Sequence, residues 1–470
     1  MENDGSLTIQ ALAPLIRRKK ISPVELTRFL LARIERYQPI LNAYITITAE
    51  IALTQARRAE REIVRGDYRG MLHGIPISLK DLFYTRGILT TAGSRVLKDF
   101  VPRTNAVAVN RLLDAGCVLL GKTNMHEFAF GTTNVNPHYG PVRNPWDIGR
   151  ISGGSSGGSA ASVVSAQAIA ALGTDTGGSI RIPAAACGCV GFKPSRGRVP
   201  LDGVIPLSFS LDHAGSLARC VMDAAIVFHA IADPADSGDA GRLALKIRKG
   251  IRALRIGVPR QYFFDRVQPE VRRAVLDAAD VFKKLGAEVR EVDLEDMQET
   301  ERLAAVITGC EALAFHKKSL EQRPQDYGED VRVRLRQSMT TTAVEYIQAL
   351  REAYVYAKKF EQAMGSVQIL LAPSIPMAAL EIGQQEIKLG RAREDVRSAL
   401  LRLTRPGNLA GLPAISIPCG FSSDGLPIGL QLIGYRFGDA DLLRAAYAYE
   451  QATPWHLQFP PDVPHARRAE

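Results

Sequence analysis

Hydrophobic residues along the chain follow two spacings, one typical of amphipathic helices and one typical of short buried strands. Apolar positions recur at helical spacing over 26–37, directly after Ser22-Pro23-Val24-Glu25, a sequence typical of a helix N-terminus. A more polar helix is predicted over 49–65. The apolar segment 74–79 predicts a strand, which places Lys80 at or just beyond its end.

The same alternation of helix and strand continues through most of the chain. Helices are predicted over 106–115, 160–166, 270–285 and, as long helices, 300–365, and strands over 117–120, 169–172, 255–258, 288–292, 414–418 and 428–433. A turn at 422–425 joins the last two strands and favours their antiparallel pairing. The alternation predicts an α/β fold with a large mixed, mainly parallel β-sheet covered by helices on both faces. Functional loops gather at strand ends in such sheets.

Length and composition are those of an ordinary globular protein. The chain has 470 residues, of which 46% are hydrophobic and 23% charged, so it has enough apolar material for a large core. We predict a single domain over 1–470, because no low-complexity linker and no internal repeat separates its halves. Segment 220–400 is expected to be a more variable, helical covering.

Charge, cysteines and apolar runs argue against several classes of protein. The six cysteines have neither the pattern of a disulfide framework nor the spacing of a zinc site, and Cys187 and Cys189 are predicted to be packed in the core. The net charge of +10 could attract RNA, but basic and acidic residues alternate on the predicted helices, which favours a solvated surface over nucleic-acid binding. The longest apolar runs, such as 166–172, are far shorter than a membrane span of roughly 20 residues. The polar N-terminus lacks the features of a secretory signal, so a cytoplasmic protein is expected.

Two loops rich in glycine and serine flank the predicted helix and strand over 160–172. The first reads Ser-Gly-Gly-Ser-Ser-Gly-Gly-Ser over 152–159, and the second reads Gly-Thr-Asp-Thr-Gly-Gly-Ser-Ile-Arg over 173–181. Glycine allows the backbone to run close to a reacting group or to adopt angles that other residues resist. With Lys80 upstream, the two loops predict a hydrolytic centre.

Hydrolysis of an amide needs a nucleophile, a base that activates it and donors for the developing oxyanion. The second loop supplies Ser179 as nucleophile, and the small residues before it let successive N–H groups point into one concavity. Lys80 can act as the base only when neutral. Lowering its pKa by about three units from about 10.4 disfavours the charged form by roughly 4 kcal/mol, which burial can achieve. The competing interpretation is an exposed Lys80 paired with Asp81, and the two serine loops argue against it.

Two short motifs suggest other chemistry and are rejected. Segment 116–123 matches the P-loop pattern, but the residues between its glycines are strand-like, whereas a P-loop needs a flexible loop there. Segment 153–157 matches the nucleophile elbow of α/β-hydrolases, but the preceding residues 145–150 predict a poor strand. His213 and His456 would be the nominal bases of such a hydrolase, and neither lies in a recognisable motif.

The lysine and the two serine loops resemble the amidase signature family, and the likeness is clear over a signature core of about 70–220. The resemblance implies that Ser179 is the acylated nucleophile, Lys80 the base and Ser155 a bridging serine held by a cis peptide bond. It also implies an oxyanion hole, a substrate pocket and supporting residues. These are Thr176, Gly177, Gly178 and Ser179 for the hole, Ala129, Phe130 and Gly131 for the pocket, and Ser156, Asp175 and Arg181 as supports. No metal and no cofactor are expected.

The implied reaction is hydrolysis of a carboxylic amide by the Ser-cisSer-Lys triad, through an acyl-enzyme, with release of ammonia or an amine. Carbamates and esters are further substrates open to the same triad. The resemblance also gives an alternative, the glutaminase component of the tRNA-dependent amidotransferase, which passes ammonia to a partner subunit. Segments 139–146 and 411–420 are similar to that glutaminase component.

One stretch of sequence separates these two functions. The glutaminase component has an aspartate before the position of Asn408 that holds the amino group of glutamine, whereas residues 400–407 of this chain include no acid. A stand-alone amidase acting on a small, less polar amide is therefore favoured, with a homodimer as the expected assembly. A non-catalytic scaffold is disfavoured, because all three catalytic positions are intact.

Overall fold

A computed structural model describes residues 7–233, 240–294 and 297–462 of the chain. Within these ranges the α-helices are α1 (Ile9–Arg17), α2 (Pro23–Leu41), α3 (Ala49–Arg65), α4 (Val107–Asp114), α5 (Gly157–Val164), α6 (Arg181–Cys187), α7 (Val221–Ile231), α8 (Ala240–Ile247), α9 (Pro269–Lys284), α10 (Glu299–Gln322), α11 (Glu329–Gln337), α12 (Ala343–Ala363), α13 (Val396–Arg402), α14 (Arg405–Leu409) and α15 (Asp439–Gln451). Among them, none is both long enough and apolar enough to cross a membrane.

The strands are short and mostly buried. They are β1 (Tyr44–Ile47), β2 (Pro76–Lys80), β3 (Val118–Thr123), β4 (Val135–Asn136), β5 (Gly140–Pro141), β6 (Arg143–Asn144), β7 (Asp147–Ile151), β8 (Ala170–Thr174), β9 (Val190–Lys193), β10 (Ala214–Ala218), β11 (Arg255–Pro259), β12 (Glu288–Val292), β13 (Ile369–Pro373), β14 (Glu386–Leu389), β15 (Ala392–Asp395), β16 (Ala414–Phe421) and β17 (Pro427–Gly434).

Eleven strands form one mixed sheet, in the order β1-β3-β2-β8-β10-β9-β16-β17-β13-β11-β12. Parallel pairings lie on the two flanks, where β2 pairs with β3 and β8, and β11 pairs with β12 and β13. The central strands pair antiparallel, including the predicted β16–β17 hairpin. Helices pack against this sheet, and the architecture confirms the expected α/β class with a large mixed sheet.

Parallel pairing of β2 with β8 places the chemistry at one edge of the sheet. Leu79 lies opposite Leu172, so Lys80 at the end of β2 is a neighbour of the last residues of β8. The second serine loop leaves β8 at that edge and leads directly into α6, while the first loop leads directly into α5. The fold thus brings together three segments that are separated along the chain.

Two hydrophobic clusters hold these elements in place. The larger one fills the space between the main sheet and its helices. The smaller one joins α5, α6 and α13 through side chains such as Val163, Ile182 and Leu400. Because α13 shares this cluster with the two helices that follow the serine loops, its position relative to those loops is fixed by packing.

The helical and strand periodicities predicted most elements to within a few residues, and one local prediction was wrong. Residues 145–150 were expected to be a poor strand, yet Asp147–Ile151 forms β7 and pairs with Arg143–Asn144 in a separate two-stranded ribbon. Gly149 N donates to Asp147 Oδ1 at 2.8 Å, and Ile151 N donates to Leu380 O at 2.8 Å. These contacts with other segments compensate for a sequence that has little intrinsic preference for a strand.

Candidate active site

Lys80 is completely buried, and its ammonium group contacts hydroxyl groups. Its Nζ donates to Ser155 Oγ at 2.7 Å and to Thr174 Oγ1 at 2.9 Å. In the part of the chain that the structure describes, it forms no ion pair. Burial lowers the pKa of Lys80 from 10.5 to about 7, against the opposing charges of Asp212 and Asp175. A large fraction of Lys80 is therefore neutral near pH 7 and able to accept a proton.

The alternative partner of Lys80 in the sequence, Asp81, is engaged elsewhere. Asp81 Oδ1 lies 3.2 Å from Lys122 Nζ, and both side chains are buried. Lys122 also donates to Phe83 O at 2.9 Å and to Thr90 Oγ1 at 2.6 Å. Lys122 lies within the buried strand β3 and is held by these groups. Segment 116–123 is therefore this strand together with the two residues before it, and it is not a phosphate-binding loop.

Ser155 lies at the point where the two serine loops meet. The peptide bond between Gly154 and Ser155 is cis, as the resemblance implies. The next residue links the loops, since Ser156 N donates to Ser179 O at 3.2 Å and Ser156 Oγ donates to Thr174 O at 3.2 Å. Ser155, whose Oγ accepts from Lys80 Nζ, thus directly precedes the residue that joins the two loops.

Ser179 lines a cavity of about 280 Å³, together with Thr176 and Gly177. Ala129, Phe130 and Gly131, the predicted pocket residues, line the same cavity. The Ser179 hydroxyl has no hydrogen-bond partner among the described residues, so no bond joins it to Ser155 in this state. Catalytic hydrogen bonds often shorten only when substrate is bound, and the open geometry is compatible with that behaviour.

The amides of the second loop are not all available to an oxyanion. Gly178 N donates to Asp175 Oδ1 at 2.8 Å, whereas the N–H groups of Thr176, Gly177 and Ser179 have no acceptor in the described ranges. Gly178, one of the four expected oxyanion donors, is therefore committed to holding the loop. The amides open to a ligand are those of the other three residues.

Asp175 and Arg181 form the buried ion pair that supports this loop. Arg181 Nη2 lies 2.9 Å from Asp175 Oδ1, and both side chains are fully buried. Arg181 also donates to Thr404 O at 3.0 Å and to Asn408 Oδ1 at 2.5 Å. Burial alone would raise the pKa of Asp175, but the Arg181 guanidinium holds that pKa below its usual range. The pair is fully hydrogen-bonded, which is the condition under which a buried charge is tolerated.

A second buried carboxylate, Asp212, lies behind the loop and was not found from the sequence. It accepts hydrogen bonds from Thr176 Oγ1 at 2.5 Å and from the backbone N–H of Leu207 at 2.9 Å. Burial raises the pKa of Asp212 to about 6, although these hydrogen bonds oppose the shift. Its neighbour His213 donates through Nδ1–H to Leu211 O at 2.8 Å, and burial lowers the pKa of that imidazole well below 6.5. His213 is thus a buried, neutral side chain.

The cavity has a second wall made by helices from the C-terminal half of the chain. A methyl group placed on Gly177 would lie 3.0 Å from Leu401 Cδ2 and 3.5 Å from Arg405 Cγ, so these side chains lie directly against the serine loop. Arg334 and Arg397 line the same cavity. Among the described residues, three arginines and no carboxylate therefore line it, a feature that no local sequence motif indicated.

Two remaining candidates from the sequence lie apart from this cavity. His456 is in a short 3₁₀ helix, Trp455–Leu457, and lines a separate, small cavity beside Arg219. Cys187 and Cys189 are buried, and the Cys187 thiol donates to Ser152 O at 3.3 Å. Both cysteines are free thiols, and they pack in the core as predicted.

Known proteins resemble this chain over nearly its whole length. The family model described as Amidase matches residues 25–443. The A subunit of the glutamyl-tRNA(Gln) amidotransferase from Geobacter sp. (strain M21) is 41% identical over 488 aligned residues, which cover 97% of this chain and 99% of the relative.

Solved structures give the same family. The crystal structure of an amidase superimposes with a TM-score of 0.88 at 37% identity, covering 94% of this chain and 99% of the other. The A subunit of the glutamyl-tRNA(Gln) amidotransferase from Thermotoga maritima superimposes with a TM-score of 0.76 at 31% identity, covering 95% of each chain. The chain belongs to the amidase signature family and is an enzyme of the class that hydrolyses amide bonds.

Proposed function

We propose that this chain hydrolyses the amide bond of a small substrate through an acyl-enzyme formed on Ser179. The observation that carries the proposal is the environment of Lys80, which is buried, bonded to the hydroxyls of Ser155 and Thr174, and depressed in pKa to about 7. A lysine in this state can act as a general base near neutral pH.

The proposed reaction uses the two serines in sequence. Ser179 Oγ attacks the amide carbonyl while its proton passes to Ser155 and the Ser155 proton passes to Lys80. The N–H groups of Gly177 and Ser179, with Thr176 beside them, stabilise the oxyanion of the tetrahedral intermediate. The same relay returns a proton to the leaving nitrogen, which departs as ammonia or an amine. Water then hydrolyses the Ser179 ester by the reverse use of the relay, and the carboxylic acid leaves.

Ammonia and amine release from a panel of amides, with purified protein alone, tests this proposal. Ser179→Ala is expected to abolish turnover, with a loss on the order of 10⁴-fold or more, because the nucleophile is removed. Ser165→Ala is a matched control, since Ser165 caps the far end of α5 and, among the described residues, its hydroxyl bonds only to Ala161 O and Gln167. Turnover that survives in Ser179→Ala would refute the assignment.

The glutaminase component of a tRNA-dependent amidotransferase is the second candidate. The curated relatives support it more strongly than they support a stand-alone amidase, since the Geobacter protein, at 41% identity, belongs to such an amidotransferase. The cavity argues in the other direction, because Leu401 lies against the serine loop and no acid lines the cavity within the described residues. A bound glutamine would have no anion there to receive its ammonium group.

Glutamine hydrolysis with and without a partner subunit separates the two candidates. A stand-alone amidase is expected to release ammonia from other amides with this chain alone. A glutaminase component is expected to show efficient glutamine hydrolysis only when a partner subunit is added. Hydrolysis of carbamates and esters, a homodimeric assembly and a cytoplasmic location remain predictions.

A further inference from the structure

The arginines on the second wall of the cavity, which is made by helices, differ in how many hydrogen bonds and ion pairs they form. Arg334 Nη1 donates to Asp330 Oδ2 at 2.8 Å and to Phe130 O at 2.8 Å, so it is well partnered. Arg405 forms one ion pair with a described residue, at 3.6 Å, and its partner is Glu301, whose side chain is 58% exposed. Arg397 has neither a hydrogen bond nor an ion pair in the described part of the chain. The wall therefore has two guanidinium groups with capacity to bind an anion.

Burial makes the incompletely partnered guanidinium groups of Arg397 and Arg405 energetically unfavourable. The Arg405 side chain is 6% exposed, and its Nη1 has no hydrogen-bond partner among the described residues, nor has Nε of Arg397. Burial lowers the pKa of Arg397, as do the charges of Arg405 and Arg334, while Asp395 and Asp330 oppose the shift only in part. Guanidinium groups stay charged at neutral pH, so an anion in the cavity would relieve this unfavourable electrostatic energy.

The arginines also lie in the right place to recognise a substrate. Arg405 Cγ is next to Gly177 of the oxyanion loop, and Arg397 lies in the preceding helix, α13, on the same cavity. The planar guanidinium group matches a carboxylate through paired N–H donors. With a volume of about 280 Å³, the cavity suits a short ligand that can reach from Ser179 to these groups.

We propose that Arg397 and Arg405 form a carboxylate-binding site, and that the preferred substrates are short amides that bear a carboxylate and no ammonium group. The inference rests on the proposed function, since it names the substrate class of the same site. Leu401 explains why the substrate should bear no ammonium group, because this apolar side chain lies beside the arginines and offers no partner to a cation. Arg397 and Arg405 are thus specificity-determining residues.

Three amides of matched length test the proposal. Glutaramate carries a carboxylate, pentanamide replaces it with a methyl group, and glutamine adds an ammonium group to glutaramate. We expect kcat/KM for glutaramate to exceed that for each of the other two by roughly tenfold to a hundredfold, the range for a hydrogen bond to a charged group. A ratio near or below one against either amide would overturn the inference, and ammonia release from pentanamide would leave the proposed reaction intact.

Substitutions of Arg397 and Arg405 test whether these two side chains cause the preference for glutaramate over pentanamide. Arg397→Gln and Arg405→Gln should each lower the glutaramate-to-pentanamide ratio by about tenfold or more, mainly through KM. Arg405→Lys should restore part of it. The matched control is Arg393→Gln, because Arg393 is on β15, close to α13 in sequence, with its side chain 80% exposed. An unchanged ratio in the double variant Arg397→Gln/Arg405→Gln would contradict the proposal.

Binding of glutarate, the product of glutaramate hydrolysis, tests the site without turnover. Titration calorimetry on Ser179→Ala protein should detect glutarate binding that the two arginine substitutions remove. Absence of glutarate binding would overturn the inference. Glutarate binding in a protein that releases ammonia from no amide would instead contradict the proposed function.

Discussion

The two walls of the cavity differ in whether their buried arginines have partners for all of their hydrogen-bond donors. In the loop wall, formed by Thr176, Gly177 and Ser179, the supporting Arg181 is bonded to Asp175 and to acceptors on α14 and the preceding turn. In the helix wall, formed by Arg334, Arg397, Leu401 and Arg405, two guanidinium groups keep unused donors. A fully matched cation holds backbone in place, whereas an unmatched one at a cavity is available to a ligand. The loop wall is thus suited to chemistry and the helix wall to recognition.

Lys80 gives the largest expected effect, and it sharpens the chemical role of the loop wall. Lys80→Met should lower kcat by about 10³-fold to 10⁴-fold, with little change in KM, because it removes the base and leaves the helix wall intact. Steady-state kinetics on the preferred amide measure the two constants separately. A rise in KM at unchanged kcat would mean that Lys80 binds substrate and is not the base.

The contrast between the two kinds of arginine predicts different losses of stability. Arg181→Met leaves Asp175 buried without its cation, and we expect the free energy of unfolding to fall by about 3–5 kcal/mol. Arg405→Met removes a buried guanidinium group whose ion pair among the described residues is a long contact with an exposed glutamate, so no buried anion is left without its cation, and we expect the free energy of unfolding to fall by less than about 1 kcal/mol. Urea denaturation measures both. Equal losses in the two variants would break the comparison.

A substitution at Leu401 should shift the specificity of the helix wall from glutaramate towards glutamine. Leu401→Asp places an anion beside Arg405, where it competes with a substrate carboxylate and attracts a substrate ammonium. The ratio of kcat/KM for glutamine to that for glutaramate should rise by about tenfold or more. Leu401→Asn is the control of similar shape, and an equal rise in that variant would show that charge is not responsible.

The pH dependence of kcat/KM tests the role of Lys80 beside the loop wall, with a smaller effect than the substitutions above. Because the pKa of Lys80 is lowered to about 7, kcat/KM should be level above that pH and fall about tenfold per unit below it, where Lys80 is protonated. Asp212 is ionised above about pH 6, and its charge raises the pKa of Lys80. Asp212→Asn should therefore move the acid limb to lower pH, and a shift to higher pH would contradict this arrangement.

The loop wall could be predicted from the sequence, and the helix wall could not. Ser155 and Ser179 lie in glycine-rich loops that are recognisable over a few residues, and the strand before Lys80 placed it at the sheet edge. Thr174 lies in the second of these loops, but nothing in the motif indicates that strand pairing brings its hydroxyl to Lys80. Asp212 lies in no such motif, and it reaches Thr176 through a long loop.

The helix wall depends on contacts between distant segments. Arg334, Arg397 and Arg405 come from α11, α13 and α14, and each looks in sequence like an ordinary surface arginine. Their shared cavity arises from packing of α13 on α5 and α6, which no periodicity specifies. The role of Gly178 has a local cause, since its amide donates to the carboxylate of Asp175 three residues earlier, and the glycine-rich pattern does not indicate which of the loop amides is engaged in this way.

Covalent labelling of the protein with a fluorophosphonate is the most direct test of the central claim, that Ser179 is the acylated nucleophile. Mass spectrometry of the digested protein should find one adduct, on Ser179, formed in the native protein and strongly reduced in Lys80→Met. An adduct on Ser155, or a native protein that releases ammonia from amides without any serine adduct, would contradict the account.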